Sequence, residues 1–168
     1  ERVLPLVRKH GAAVVAICND DSGISTDIET RFNVARKIVN RAADHGIPAC
    51  DVVVDPLVMP VGAMAGAPAQ ALKLIRRLRE ELKVNTTCGA SNVSYGLPNR
   101  VGLNAAFISM AIGAGLSSAI TNPMVTPLMQ AVRGADVLMN HDEQCMNWIT
   151  AYREAPQNGG RKLRRRRR

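Results

Sequence analysis

The chain has 168 residues, of which 46% are hydrophobic, so it is long enough to bury a core as one domain. The formal net charge is +8, but residues 161–168 carry seven of these charges, which leaves +1 for residues 1–160. Because the folded part is nearly neutral and only 3% of the chain is aromatic, it lacks the stacking surface that single-stranded nucleic acids require.

The basic segment at the end of the chain follows "APQNGG", a composition typical of a linker. We therefore predict one folded domain over residues 1–156 and a disordered basic tail over residues 157–168. Such a tail could attract RNA or an anionic surface without sequence specificity, through counterion release.

The tail is expected to contribute little to folding, because its charge density opposes compaction and Leu163 is its only apolar residue after Gly160. Deleting residues 161–168 should leave the melting temperature nearly unchanged in a thermal unfolding experiment. A large drop would show that the tail docks on the fold.

The cysteines and the first residue bear on compartment and processing. Cys18, Cys50, Cys88 and Cys145 include no CxxC pair and no histidine at metal-ligand spacing. We expect reduced thiols in a cytoplasmic protein and no metal site. The sequence starts with Glu1 and shows no signal peptide, which suggests processing or a fragment.

A run without charged residues, 101–132, is long enough to suggest a membrane span. Asn122-Pro123 and Pro127 interrupt it, and "GLSSAITNP" in its middle is typical of a strand and a turn. We therefore expect a buried helix, a buried strand and a loop, and no membrane association.

Four short apolar runs predict strands, and their starts are about 32 to 39 residues apart, which is typical of repeated βα units. We expect them to be parallel and adjacent in chain order. The predicted strands lie near residues 12–18, 51–55, 85–90 and 117–121.

A helical pattern follows each predicted strand. Thr26 and Glu29 fit a capping box that opens the first helix, which should end at His45-Gly46 before Pro48. The later patterns predict helices from about Pro68, over 100–114, over 127–138 and in an amphipathic segment within 142–154.

Strands that are apolar throughout favour a parallel sheet covered by helices, either doubly wound or closed as a (β/α)8 barrel. No glycine-rich phosphate loop of the GxGxxG or GxxxxGK[ST] type follows any strand, which disfavours nucleotide-binding sheets. A complete barrel needs roughly 250 residues. Four βα units therefore predict the C-terminal half of a (β/α)8 barrel.

Polar residues gather where the predicted strands end, which is where barrel enzymes carry their chemistry. Capping and Asx turns are the local alternative, which we favour for Asp21 and Asn122 but not for Asp55 and Asn92. The sequence has no HExxH motif and no Ser-His-Asp order, and its histidines fall at predicted helix ends or in loops. A carboxylate combined with amides suits the flat edge of a heterocycle such as a pterin or a purine.

At these strand ends the chain resembles a known family. "VVVDPLVMPVG" (52–62) and "GASNVSYGLPNR" (89–100) are similar to the pterin-binding barrel of methyltetrahydrofolate:corrinoid protein methyltransferases, shared with the folate domain of cobalamin-dependent methionine synthase. "AICNDDSGIS" (16–25) looks like the end of that family's fifth strand. The similarity extends from about residue 10 to about residue 140.

The resemblance implies roles for individual residues. Asp55 would hydrogen-bond the pterin ring, and Asn92 would act as the catalytic residue at the pterin N5. Arg100 would lie near the aminobenzoyl group, and Cys18 and Cys88 would either line the pocket wall or simply pack. The full set of implied substrate-binding residues is Asp55, Asn92, Ser91, Asp20, Arg100, Asn122 and Gly89.

The activity implied by the resemblance is transfer of a methyl group from 5-methyltetrahydrofolate to the Co(I) corrinoid (cobalamin) of a partner protein or domain. A tertiary amine is a poor leaving group, and an amide near N5 would stabilise its protonated form. The family also suggests a homodimer. Because pocket residues from the early strands are missing, we expect this chain to be inactive alone.

Two alternatives stay open. One is a dihydropteroate synthase-like pterin enzyme, although the phosphate-binding Ser-Arg pair of that family has no counterpart here. The other is a non-catalytic half-barrel that binds RNA or a partner through its arginine-rich tail. Binding of methyltetrahydrofolate that is reduced by Asn92→Ala would separate the methyltransferase from both.

Overall fold

The computed structural model describes residues 2–21 and 23–153, so the predicted tail over 157–168 lies outside the described residues. Within these ranges short strands alternate with helices in the first part of the chain, and the last three helices follow one another. The helices are α1 Val3–His10, α2 Ile28–Asp44, α3 Ala67–Arg77, α4 Arg100–Gly113, α5 Thr126–Leu138 and α6 Met146–Arg153, and the strands are β1 Val14–Ile17, β2 Val52–Asp55 and β3 Asn85–Thr86.

The strands form one sheet in the order β1-β2-β3, and both neighbouring pairs are parallel. Val14 is level with Val52, and Val53 is level with Asn85. This confirms the predicted parallel order of the first three segments. The third strand is much shorter than 85–90, because the chain turns after it into a 3₁₀ turn over Ala90–Ser94.

The fourth predicted strand, 117–121, is wrong as a strand. Among the described residues this segment lies beside β3 with an isolated parallel bridge between Gly89 and Ile120, and it does not form a regular strand. At its start the Ser117 hydroxyl accepts a hydrogen bond from the Thr86 backbone N–H (3.2 Å), and the Thr86 hydroxyl accepts one from the Ser117 N–H (3.1 Å). Backbone hydrogen bonds continue beside these side chains, since the Ser118 N–H donates to the Thr86 carbonyl (3.0 Å) and the Ile120 N–H donates to the Cys88 carbonyl (2.8 Å).

The helix boundaries follow local capping chemistry. Helix α2 begins one residue later than the predicted capping box would place it, because Asp27 caps it by accepting a hydrogen bond from the Thr30 N–H (2.7 Å). It ends before Gly46, whose φ of 70° lies in the left-handed region that favours glycine. Helix α1 was not predicted, since it has no side-chain N-cap and carries Pro5 in its first turn.

One face of the sheet packs on the helices. Val52 and Val54 of β2 are fully buried against Leu74 and Leu78, which extend from α3, and against Phe32 of α2. A second apolar cluster joins α3, α4 and α5 beside the 3₁₀ turn. Burying a large apolar side chain contributes roughly 1.5–3 kcal/mol to stability, so the packing of these helices holds the sheet in place from one face.

The other face of the sheet is open in the described residues. Val15 and Ile17 of β1 are 57% and 45% exposed, and Ile120 is 68% exposed. The described helices cover one face of the sheet. Because side chains alternate along a strand, Asp55 shares the open face with Val53.

The uncharged run 101–132 divides into α4, a largely exposed connection and the start of α5, so the buried strand expected in its middle is not observed. None of the helices in residues 2–21 and 23–153 has both the length and the apolar character that a bilayer crossing needs.

Candidate functional site at the carboxyl ends of the strands

The polar residues predicted from the sequence follow the carboxyl ends of neighbouring parallel strands. Asp55 is the last residue of β2, and Asp20 lies three residues beyond β1. The 3₁₀ turn over Ala90–Ser94 follows β3, and the backbone joins these ends directly: the Cys18 N–H donates to the Asp55 carbonyl at 3.2 Å. We call this edge the rim.

Asp55 presents a half-buried carboxylate at the rim. Its Oδ1 accepts a hydrogen bond from the Leu57 N–H at 2.7 Å, which is an Asx turn. Its Oδ2 has no protein donor among the described residues, so it remains open to a ligand. Burial raises the pKa of Asp55, while the Leu57 N–H and the Arg31 guanidinium oppose that rise.

Asn92 lies exposed in the 3₁₀ turn, and Gly89 makes room for it. A β-carbon at Gly89 would come within 2.9 Å of Asn92 Nδ2, closer than ordinary packing allows. The Gly89 φ is −71°, so glycine is needed here for space and not for its backbone freedom. The Asn92 N–H donates to the Gly89 carbonyl at 3.0 Å, which fixes the turn that carries the amide.

Gly89→Ala is therefore expected to displace the Asn92 amide while leaving the fold intact. If Asn92 acts on the substrate, methyl transfer should fall by up to about a hundredfold, since a small misplacement of a catalytic group has effects of that size. The measurement is the transfer rate beside the melting temperature. Gly102→Ala is the matched control, because its nearest neighbouring atom would be 3.9 Å away. Equal transfer rates in both variants would contradict the steric role of Gly89.

Arg100 and Ser91 contribute to a hydrogen-bond network that anchors the turn to α4. Arg100 Nη2 donates to the Ser91 carbonyl (2.7 Å), and Arg100 Nε donates to the Ser94 hydroxyl (3.0 Å). The buried Ser94 hydroxyl donates in turn to Asn104 Oδ1 at 2.7 Å. The structure thus gives the Arg100 guanidinium an anchoring position, and its predicted contact with an aminobenzoyl group stays a prediction.

Sequence reasoning missed Ser94 and Asn104. Asn104 is a buried amide in an otherwise apolar helix, and such a residue needs an internal partner. The sequence therefore indicates that Asn104 needs a polar partner inside the fold. Nothing local identified that neighbour, which lies ten residues earlier in the chain.

Asp20 and Asn122 are exposed and make local backbone contacts. The Asp20 carbonyl accepts a hydrogen bond from the Gly23 N–H at 3.0 Å. Asn122 Oδ1 accepts one from the Met124 N–H at 2.9 Å, which is the Asx turn we favoured for it from the sequence. A binding role for either residue stays a prediction.

Cys18 and Cys88 pack behind the rim. Both are buried, and within the described residues all four cysteines are free thiols. Burial raises the pKa of each of these two thiols to about 12. Both thiols are therefore neutral at physiological pH, which is typical of cysteines that pack in a core.

The sequence profile of the family described as "Pterin binding enzyme" matches residues 1–122 of this chain. The chain belongs to the pterin-binding enzyme family. The matched range includes every rim residue discussed above, from Asp20 to Asn122.

Individual relatives place the chain more narrowly. It is 28% identical over 142 residues to a methylcorrinoid:tetrahydrofolate methyltransferase of Eubacterium limosum, which covers 84% of this chain and 52% of the relative. It is 33% identical over 129 residues to a methionine synthase of Mycobacterium leprae (strain TN), covering 72% of this chain and 11% of that protein. A methionine synthase of Mycobacterium tuberculosis is 30% identical over 129 residues.

The chain therefore spans about half the length of the methylcorrinoid:tetrahydrofolate methyltransferase that it matches. These similarities confirm the resemblance to corrinoid-dependent methyltransferases that the motifs at 52–62 and 89–100 indicated.

Proposed function

We propose that this protein transfers a methyl group from N5 of 5-methyltetrahydrofolate to the Co(I) corrinoid of a partner protein. One observation carries the proposal: a half-buried carboxylate with an open oxygen and an exposed amide follow neighbouring strands of a pterin-binding chain. The name of the Eubacterium limosum relative describes a methylcorrinoid as the methyl donor and tetrahydrofolate as the acceptor, which is the reverse of the direction proposed here. One site serves both directions, because forward and reverse transfer share a transition state.

Asp55 binds the pterin in this proposal. A pterin edge carries ring N–H and amino donors, and an ionised carboxylate accepts from both. The Leu57 N–H already occupies Oδ1, which leaves Oδ2 as the principal acceptor for the ligand. The half-buried position strengthens such a hydrogen bond, since water competes less for it.

Asn92 acts at N5. The departing tetrahydrofolate nitrogen is a poor leaving group unless it gains positive character, and the Asn92 side chain can accept a hydrogen bond from a protonated N5. The Asn92 N–H bond to the Gly89 carbonyl and the Arg100 bond to the Ser91 carbonyl hold the turn that carries the amide before the substrate arrives. This is preorganised stabilisation of charge in the transition state.

We also propose an architecture for the protein. The open sheet face, with Val15 and Ile17 exposed, supports the view that the described βα units form half of a (β/α)8 barrel. Transfer then requires the complete barrel and a corrinoid protein, and a homodimer is the expected assembly. We expect the 168-residue chain alone to show no transfer.

The direct test uses the full-length protein with 5-methyltetrahydrofolate and a Co(I) corrinoid protein, followed through the change in corrinoid absorbance on methylation. The proposal expects transfer that depends on the protein. Absence of both folate binding and transfer would overturn it. Condensation of a dihydropterin with 4-aminobenzoate would instead establish the synthase-like alternative.

Folate binding should weaken as the pH falls. The loss of affinity should begin at a higher pH than it would for an ordinary aspartate, whose pKa is about 3.9. Burial raises the pKa of Asp55, and protonation removes the acceptor that the pterin needs. The effect of Asp55 on the free energy of unfolding has the opposite sign. Because its pKa is raised in the folded protein, Asp55 stabilises the fold at low pH, and this contribution is lost as the pH rises through that pKa. Titration calorimetry across pH tests this, and in Asp55→Asn the acid-side loss of affinity should disappear.

A further inference from the structure

Arg31 is a cation on the buried face of α2, behind the rim. Only 3% of its surface is exposed, and its Nη2 donates a hydrogen bond to the Leu57 carbonyl at 2.7 Å. Its Nε has no hydrogen-bond partner among the described residues. A buried guanidinium with an unsatisfied donor is costly, so a purely apolar residue would serve packing better at this position.

Leu57 has an unusual backbone conformation. Its φ of +57° lies in the left-handed region, which residues other than glycine, asparagine and aspartate rarely adopt. In that conformation its N–H donates to Asp55 Oδ1 and its carbonyl accepts from Arg31. The two charged side chains thus hold Leu57 from both sides, and buried Pro56 and Val58 flank it.

We propose that Arg31 is a positioning residue for Asp55. By holding the Leu57 carbonyl it keeps Leu57 in the left-handed conformation, and the Leu57 N–H then fixes Asp55 Oδ1. The second carboxylate oxygen is left facing the open side of the rim. Only the consequence for pterin binding rests on the function proposed above, since the contacts themselves exist without a ligand.

The electrostatic surroundings of Asp55 support this role. The ionisable groups that act on it are Arg31 from α2, Cys18 after β1 and Cys88 after β3. Both thiols have a pKa of about 12 and stay neutral, so Arg31 is the charged group among these three neighbours of Asp55. The guanidinium lowers the pKa of Asp55 against the effect of burial and so helps to keep the carboxylate ionised.

Hydrogen exchange distinguishes positioning from simple packing. In Arg31→Met the Leu57 amide should exchange about tenfold faster relative to the Thr87 amide, since a lost hydrogen bond has roughly that effect. Thr87 donates to the Val54 carbonyl within the sheet and reports global stability. Arg31→Lys, which keeps a charged donor, should show a smaller change. Equal changes at Leu57 and Thr87 would overturn the proposal.

Binding of 5-methyltetrahydrofolate to the full-length protein supplies the second readout. Arg31→Met should raise the Kd about tenfold, with partial recovery in Arg31→Lys. An unchanged Kd in Arg31→Met would overturn the inferred effect on the ligand. If the wild type bound no folate but Leu57 exchange still rose selectively, the proposed function would fail and the positioning of Asp55 by Arg31 would stand.

Discussion

Asp55→Asn is expected to weaken binding of 5-methyltetrahydrofolate about ten- to a hundredfold without lowering the melting temperature at neutral pH. A hydrogen bond to a charged group contributes roughly 1.5–3 kcal/mol, which sets the loss of affinity. Asparagine keeps an oxygen for the Leu57 N–H. Burial raises the pKa of Asp55 even against the Arg31 guanidinium, so a neutral side chain at this position should not lower stability at neutral pH.

Asp51→Asn is the matched control, because Asp51 lies just before the same strand at its opposite end. It should leave the Kd unchanged. The two measurements are titration calorimetry for the Kd and thermal unfolding for the melting temperature. A large drop in melting temperature with Asp55→Asn would show that the carboxylate serves the fold, and an unchanged Kd would remove Asp55 from the site.

Asn92→Ala is expected to reduce the methyl-transfer rate by about 10²–10³-fold, the usual effect of removing one preorganised hydrogen-bonding group from a transition state. Its effect on the Kd should be smaller, because the charge on N5 develops as the methyl group leaves. The exposed Asn92 side chain supports little packing, so the melting temperature should stay within a few degrees.

Asn40→Ala, an exposed position on α2, controls for loss of a surface amide. Single-turnover transfer to a Co(I) corrinoid protein measures the rate, and equilibrium binding measures the Kd. A raised Kd with an unchanged rate at saturating folate would mean that Asn92 contributes ground-state binding only. A normal rate would contradict its catalytic role.

Much of the fold was predictable because its elements have local signals. The β-branched run before Asp55 predicted β2 within a residue, and the predicted helix over 100–114 is observed as Arg100–Gly113. The placement of polar residues after the strands predicted the rim, since parallel strands end on one side. The capping of α2 was off by one residue, because Thr26 and Asp27 are both good N-cap residues and only packing decides between them.

The remaining features depend on contacts between distant residues. The segment 117–121 runs beside β3, but the Ser117 and Thr86 side chains enter its hydrogen bonding and only an isolated bridge forms, which a strand pattern does not reveal. Arg31 follows the buried stripe of α2 at helical spacing from Ile28 and Ala35, so its burial was detectable. Its partner, the Leu57 carbonyl 26 residues later, was not, and the left-handed Leu57 carries no local sequence signal.

A crystal structure of the full-length protein with 5-methyltetrahydrofolate tests the central claim most directly. We predict the pterin edge on the open oxygen of Asp55 and its N5 within hydrogen-bond distance of the Asn92 amide. The contradicting result is a pterin bound elsewhere, for example in the cavity of about 410 Å³ beside Arg79 and His141, with Asp55 and Asn92 making no contact with it.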